Sequence, residues 1–168
     1  MQLLELTEPD TRKVINEFPH VNEVLIESYK EIVLDNLLSS SPLFANIPKA
    51  DRSIFIEKCK LKVFVSGMPI VNEGDPGDSM FMIKSGEVEV FKKDAPTGAQ
   101  TLLAKLKPGE FFDEASMVSA KPRNATVKAV GFTEVLEFEK QTYQEIVQLD
   151  LKVKQIFEQV IRNIAPPS

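Results

Sequence analysis

The residues whose types and spacing point to chemistry lie in one segment, 109–126, which reads GEFFDEASMVSAKPRNAT. Glu114 is a carboxylate that can accept hydrogen bonds from sugar hydroxyls. Arg123 is a guanidinium that can hold phosphate oxygens with two parallel N–H groups. The apolar run between them predicts a short helix, whose first backbone N–H groups favour an anion. The segment therefore suits a ligand that carries both a hydroxyl and a phosphate.

The same residues do not form a catalytic centre. Glu114 and Arg123 provide no nucleophile with a neighbouring base. The chain has one histidine, His20, and one cysteine, Cys59, so no cluster has the spacing of a metal site. We therefore predict a protein that is not an enzyme and that needs no metal and no cofactor, and a hydrolase is the least favoured function. Cys59 is expected to be an ordinary, partly buried thiol.

The segment resembles the phosphate-binding cassette of the cyclic nucleotide-binding domain family. This family includes the bacterial catabolite activator protein and the regulatory subunits of cAMP-dependent protein kinase. Its pattern is roughly G-x-F-F/I-G-E, an apolar helix, and then P-R-x-A-T. The matching residues occur here in the same order: Gly109, Phe111, Phe112, Glu114, Pro122, Arg123, Ala125 and Thr126. We call residues 109–126 the cassette; the whole resemblance extends over about 42–165.

The resemblance implies that the ligand is a cyclic nucleotide, with cAMP as the first candidate and cGMP as the second. It also implies a role for each of several residues. Arg123 would bind the phosphate and Glu114 the 2′-hydroxyl. Backbone amides would complete the anion site, and these belong to Ala115, Asn124 and Ala125. Thr126 would bear on the choice between cAMP and cGMP. The implied base wall consists of four apolar residues: Val71, Val90, Leu103 and Leu106. The implied lid lies on the last helix and contains Ile156, Phe157, Val160 and Ile161.

Asp113 stands where the family pattern has glycine. Its carboxylate would lie beside the bound phosphate, and two negative charges roughly 6 Å apart repel by about 3 kcal/mol at an effective dielectric near 20. Two hypotheses remain open: the side chain turns away and binding survives, or Asp113 closes the pocket, for example by capping the short helix. We expect binding to survive because the other cassette residues are present. We also expect Glu114 and Arg123 to pair in the empty pocket, and Arg123→Ala to abolish binding without unfolding the protein.

The elements around the cassette follow from the spacing of apolar residues. Helices are predicted over about 20–39 and 49–58, and a first helix with Val14, Ile15 and Phe18 is predicted before them. Period-two strands separated by Gly/Pro turns follow at 61–65, 70–71, 80–83, 88–90, 101–106, 126–130 and 133–138. The resemblance implies a mainly β fold, an eight-stranded antiparallel β-roll (a jelly-roll-like barrel) with N-terminal helices and two C-terminal helices. The predicted domains are an N-terminal helical extension, 1–41, and a binding domain, 42–165, with its barrel at about 60–138 and its last helices at about 140–165.

Composition narrows the function further. The net charge of −5 argues against a nucleic-acid surface. No apolar run approaches the roughly 18 residues of a membrane span, and the start does not read as a secretory signal, so we predict no membrane contact and a cytoplasmic location.

The leading hypothesis is a cyclic nucleotide sensor whose flanking helices signal to a protein partner or to a second copy. The alternative is a degenerate member without a ligand that acts as a docking or dimerisation module. A transcription regulator is less favoured because no helix-turn-helix follows the last helix.

Overall fold

The computed structural model describes residues 19–164 of the 168-residue chain, with the side chains of residue 24 and residues 27–163. The helices of this part are α1 (Pro19–Ser39), α2 (Lys49–Lys58), α3 (Lys140–Leu149) and α4 (Leu151–Ile164). The strands are β1 (Lys60–Phe64), β2 (Pro69–Val71), β3 (Ser79–Lys93), β4 (Gln100–Leu106), β5 (Phe111–Phe112) and β6 (Thr126–Glu139). A 3-10 helix, Glu114–Met117, lies between β5 and β6. The predicted helix with Val14, Ile15 and Phe18 lies outside the described residues.

The strands form one antiparallel sheet in the order β1-β6-β3-β4, with β2 paired to β6 and β5 paired to β3. The prediction of a mainly β, antiparallel fold with flanking helices is therefore confirmed. The predicted count of eight strands is wrong for residues 19–164, which contain six. The closed barrel is not confirmed, because β1 and β4 remain at the two ends of the strand order.

Two glycines explain the lower strand count. The segments predicted as separate strands on either side of Gly86 form the single strand β3, and those around Gly131 form the single strand β6. Both glycines have positive φ, +85° and +69°. The β3–β6 pairing shifts its register next to Gly86, so the glycines bend a continuous strand instead of ending it.

The alternation of side chains along β3 and β6 separates two apolar cores. On β3, Phe81 and Ile83 point into a core inside the folded sheet, whereas Met80 and Met82 point to the other face. The sheet core contains Val71, Phe81, Ile83, Val88, Phe112, Val127 and Val135. The helical core joins the outer face of the sheet to all four helices, and its large members include Leu38, Phe44, Phe55, Phe138, Tyr143 and Phe157. Both faces of β3 are therefore buried where the cassette contacts it.

The apolar residues of α1 include both buried and exposed side chains. Leu34 and Leu38 are buried in the helical core, and Arg52 of α2 pairs with Asp35 at 2.8 Å. Tyr29 and Ile32 are 71% and 63% exposed. The end of α1 is thus part of the domain core, and the predicted boundary between residues 41 and 42 remains untested.

The last helix packs into the domain. Val153, Phe157 and Ile161 of α4 are buried in the helical core, where Phe157 contacts Tyr143 with ring centroids 4.8 Å apart. Asp150 accepts a hydrogen bond from the backbone N–H of Lys152 at 2.9 Å, as expected of a residue that caps this helix. None of the helices in residues 19–164 is long and apolar enough to cross a membrane.

Gly86 and Gly131 offer a matched test of this packing. A Cβ at Gly86 would lie 2.6 Å from the carbonyl oxygen of Phe132, whereas a Cβ at Gly131 would meet no atom within 4 Å. We expect Gly131→Ala to lower the free energy of unfolding by about 1 to 2 kcal/mol, the usual cost of a left-handed non-glycine residue. Gly86→Ala should cost a further 1 to 3 kcal/mol, roughly, because the backbone must move. Urea denaturation measures both, and equal losses would contradict the close approach.

Candidate functional site

The cassette is attached to the start of β3. Its first turn is held by two backbone hydrogen bonds, from Gly109 N–H to the Ile83 carbonyl at 2.8 Å and from Ile83 N–H to the Glu110 carbonyl at 2.9 Å. Farther along, the hydroxyl of Ser116 donates to the carbonyls of Ser79 (2.9 Å) and Asp113 (2.6 Å). These bonds fix the 3-10 helix against the sheet, so the side chains on either side of it have defined positions.

A second loop, residues 72–78, closes over the other end of the cassette. Arg123 N–H donates to the Asp75 carbonyl, and Gly74 N–H donates to the Arg123 carbonyl, both at 2.8 Å. A Cβ at Gly77 would lie 2.6 Å from the Cβ of Ser116, so the loop approaches the cassette more closely than any other residue would allow. The E-G-D-P-G-D sequence of this loop therefore positions Arg123.

The guanidinium of Arg123 is buried and surrounded by acceptors. Nη1 donates to the Ser79 carbonyl at 3.1 Å and forms an ion pair with Asp113, while Nη2 contacts the Ser79 hydroxyl and Asp78 Oδ1, each at 3.2 Å. The group also lies 5.6 Å from the centroid of the Phe81 ring. Burial lowers the pKa of Arg123, and the nearby carboxylates, Asp78 first among them, oppose this.

The expected pair between Glu114 and Arg123 is not formed, and that prediction was wrong. Asp113 takes the place of Glu114 as the buried partner of Arg123; its side chain is 11% exposed. Asp113 has a φ of +62°, a left-handed conformation that turns the chain between β5 and the 3-10 helix. It stands at the N-cap position, but its side chain makes no capping hydrogen bond, so the amides of the 3-10 helix are not occupied in that way.

Glu114 is half-buried and makes no ion pair with any described side chain. Burial raises the pKa of its carboxyl, and a hydrogen bond from its own backbone N–H partly offsets the effect. A carboxyl that loses hydration without gaining a cation is costly to the fold, and such groups are often found at binding sites.

The remaining predicted phosphate contacts lie along the exit of the cassette. Ala115 and Asn124 are exposed, and the Asn124 carbonyl accepts from Lys92 Nζ at 2.6 Å. The amides of Ala115, Asn124 and Ala125 donate to no backbone acceptor within residues 19–164. Thr126 is buried, and its hydroxyl oxygen accepts from the Glu73 N–H at 3.0 Å, so its own O–H is left to donate.

The predicted base wall is brought together only in part. Val71 is buried in the sheet core, and Val90 and Leu106 pack against that core. Leu103 is 58% exposed and does not join them. The β3–β4 register explains this: Val90 pairs with Ala104 and Phe91 pairs with Leu102, so Leu103 falls at the irregularity between them.

The predicted lid does not lie over this wall. Phe157 and Ile161 are buried in the helical core, and Ile156 and Val160 pack against it, on the opposite face of the sheet from Val71. Phe157 contacts the rings of Phe55 on α2 and Tyr143 on α3, and a lid over a bound base stays a prediction.

Three functional residues were missed. Asp78 and Ser79 bind Arg123, and the Ser79 hydroxyl also donates to Glu137 Oε1 at 3.0 Å. Glu137 in turn pairs with Lys62 of β1 at 2.6 Å. The E-G-D-P-G-D sequence of loop 72–78 was the available signal, but its pattern predicted only one of the Gly/Pro turns between strands.

The start of α3 is tied to both loops around Arg123. The backbone N–H of Lys140 donates to the Asp78 carbonyl at 2.8 Å, and its Nζ donates to the Ser119 carbonyl at 2.6 Å. A cleft of about 720 Å³ separates the end of the 3-10 helix from α3 and α4, and it is bordered by Met117, Tyr143, Val147 and Lys154. This cleft lies away from Arg123 and the base wall.

Comparison with known proteins agrees with this architecture. A protein-family model described as the cyclic nucleotide-binding domain matches residues 61–150, just over half of the chain. The cAMP-dependent protein kinase regulatory subunit of Dictyostelium discoideum is 27% identical over 131 residues, which cover 71% of this chain and 40% of that protein.

Two solved structures are similar over most of the chain. The regulatory domain of Toxoplasma gondii PKA, crystallised with cAMP, superposes with a TM-score of 0.72 at 19% identity, over 81% of this chain and 50% of the other. The catabolite activator protein of Thermus thermophilus gives a TM-score of 0.66 at 27% identity, over 73% and 57%. The chain thus spans about half or less of the length of the kinase-subunit relatives that it matches.

Glu114 predicts an unusual dependence of stability on pH. Because its pKa is higher in the folded than in the unfolded protein, the ionised carboxyl destabilises the fold, and this loss develops as the pH rises from about 4.5 through the raised value. Glu114→Gln should therefore be more stable than the wild type at pH 7.5, and the difference should vanish near pH 4. Thermal unfolding at the two pH values measures it.

The exposed Glu87→Gln is the control and should show no such difference. A Glu114→Gln variant that is less stable than the wild type at pH 7.5 would mean that the carboxylate has a stabilising partner.

Proposed function

Because the chain belongs to the cyclic nucleotide-binding domain family, we propose that it is a cyclic nucleotide sensor module whose ligand is cAMP. The observation that carries this proposal is the buried guanidinium of Arg123, held by two loops at one end of an apolar sheet core. A buried cation beside an apolar wall is the pair of features that a cyclic nucleotide requires, since its phosphate is charged and its base is not.

In the proposed complex, Arg123 binds the phosphate with both Nη atoms and Glu114 accepts from the ribose 2′-hydroxyl. The amides of Ala115, Asn124 and Ala125 complete the anion site, and Thr126 donates its free hydroxyl hydrogen. Val71, Val90 and Leu106 form the base wall. These roles rest on the family pattern together with the positions of the residues, and cGMP remains the second candidate ligand.

Signalling would pass from the cassette to α3. Lys140 is bonded to Asp78 and to Ser119, so a shift of either loop on ligand binding acts directly on the first residue of α3. Since α3 and α4 share the helical core with α1 and α2, the helices would move together. A protein partner or a second copy would respond, and the exposed face of α1 with Val24, Tyr29 and Ile32 is the proposed contact surface. A cytoplasmic location likewise stays a prediction.

A second candidate function follows from Asp113. If the Asp113–Arg123 ion pair is never broken by a ligand, the domain binds no nucleotide and acts as a docking or dimerisation module. The family model that matches the chain describes a binding domain, and both candidates are accordingly non-enzymatic proposals.

Calorimetric titration with cAMP and cGMP, together with thermal shift, tests the sensor. We expect the wild type to bind cAMP with a Kd tighter than about 100 µM, or roughly −5.5 kcal/mol. Glu114→Ala should weaken binding at least about tenfold, because a hydrogen bond to a charged group contributes roughly 1.5 to 3 kcal/mol. Glu110→Ala, which removes an exposed acid of the same cassette, is the matched control and should bind like the wild type.

Arg123→Ala is a poor test, because it leaves Asp113 buried without a cation and should destabilise the fold by about 3 to 5 kcal/mol. Arg123→Lys keeps the charge but loses the planar fork, and it should weaken cAMP binding at least about tenfold. If neither nucleotide produces heat or a thermal shift with the wild type, the second candidate is favoured.

A further inference from the structure

We propose that Asp113 is an internal counter-ion of Arg123 which occupies the position of the ligand phosphate and must be displaced before a cyclic nucleotide binds. The inference rests on the proposed function and adds to it a residue that determines affinity and ligand class. Nothing in the family pattern supplies such a group, because that pattern has glycine at this position.

The donors of Arg123 show why displacement is needed. The two Nη atoms carry four of the five N–H groups of the side chain. They make three hydrogen bonds, to the Ser79 carbonyl, the Ser79 hydroxyl and Asp78 Oδ1, and Nη1 also forms the ion pair with Asp113 Oδ2. A phosphate that binds end-on, in a fork through both Nη atoms, needs one N–H from each of them. It must therefore take the place of acceptors that are already present.

The two carboxylates on Arg123 differ in how easily they leave. The side chain of Asp78 is 82% exposed, so water replaces Arg123 at little cost. Asp113 is 11% exposed, and its Oδ2 forms the ion pair with Arg123 but has no hydrogen-bond partner in the described part of the chain. A buried carboxylate that loses its cation keeps its desolvation penalty, so Asp113 is the competitor that matters.

The backbone holds Asp113 in this position. It is the one non-glycine residue in residues 19–164 with a positive φ, and aspartate is among the residues that tolerate this conformation. The chain therefore follows the turn that the family builds with glycine, while a carboxylate is added where the glycine has only hydrogen. The substitution changes the charge at Arg123 without changing the path of the cassette.

Two consequences distinguish a competitor from a purely structural residue. Removing the charge should weaken the ligand-free fold, because Arg123 loses its buried partner, and should strengthen cAMP binding, because the phosphate no longer has a rival. The two effects have opposite signs. A ligand without a phosphate, such as adenosine, does not compete for Arg123, so its affinity should not rise when the charge is removed.

The test compares the wild type with Asp113→Asn, which keeps the size of the side chain and its tolerance of positive φ but removes the charge. We expect cAMP to bind Asp113→Asn about a hundredfold more tightly, the repulsion of two charges roughly 6 Å apart at an effective dielectric near 20. Adenosine affinity should change by less than about threefold, and the melting temperature without ligand should fall. Asp113→Gly, the family residue, is the second variant if Asp113→Asn does not fold. Glu110→Gln, which removes the charge of an exposed cassette acid, is the control and should change cAMP affinity by less than about threefold.

The outcomes separate this inference from the proposed function. Tighter cAMP binding in Asp113→Asn supports the counter-ion even if the wild type binds too weakly to measure. Wild-type binding that is unchanged or weakened by both Asp113 substitutions overturns the counter-ion and leaves the sensor intact. An equal gain for adenosine also overturns it, because the gain would not depend on the phosphate. No cAMP binding by the wild type or by either Asp113 variant overturns the sensor itself.

Discussion

A buried guanidinium needs acceptors on every side, and the structure around Arg123 follows from that requirement. The loop 72–78 lies against the cassette: its Asp75 carbonyl accepts from the backbone N–H of Arg123, and its Asp78 carboxylate reaches the guanidinium. Ser79, at the first position of β3, provides two of the acceptors. Because three separate segments meet at one cation, the loss of that cation or of its partners would loosen all of them together.

The same requirement connects the site to the helices. Asp78 and Ser79 both belong to the Arg123 cluster, and the residue that follows β6, Lys140, begins α3 with a bond to the Asp78 carbonyl. The Ser79 hydroxyl continues the cluster to Glu137 on β6, which pairs with Lys62 on the end strand β1. Polar groups in this region lower the stability that an apolar core would give, and Glu114 is the clearest case because burial raises its pKa without a compensating cation. Buried polar groups that lower stability in this way are commonly kept at binding sites, where a ligand supplies the missing partner.

Much of this architecture could be predicted from local patterns. The helix predicted over 49–58 has those bounds in the structure, and alternating apolar residues predicted the strands, because both depend on contacts within a few residues of the chain.

The predicted number of strands was too high at Gly86 and Gly131. Each glycine was interpreted as the end of a strand, although the pairing continues past a bend there. The predicted place of Leu103 in the base wall does not match the structure, because a one-residue irregularity in β4 changes which side chains face the core. The identity of the anion that pairs with Arg123 could not be predicted either, since Asp113 and Glu114 are adjacent acids and the sequence does not give their backbone conformations. The left-handed turn at Asp113 decides between them.

The central claim is that Asp113 and the ligand phosphate use the same face of Arg123. The most direct measurement is a crystal structure of the wild-type protein soaked or grown with cAMP. Our account predicts phosphate oxygens about 2.7 to 2.9 Å from both Nη atoms of Arg123, with the Asp113 carboxylate turned away from them. A bound nucleotide whose phosphate lies elsewhere, with the Asp113–Arg123 ion pair unbroken, would contradict it.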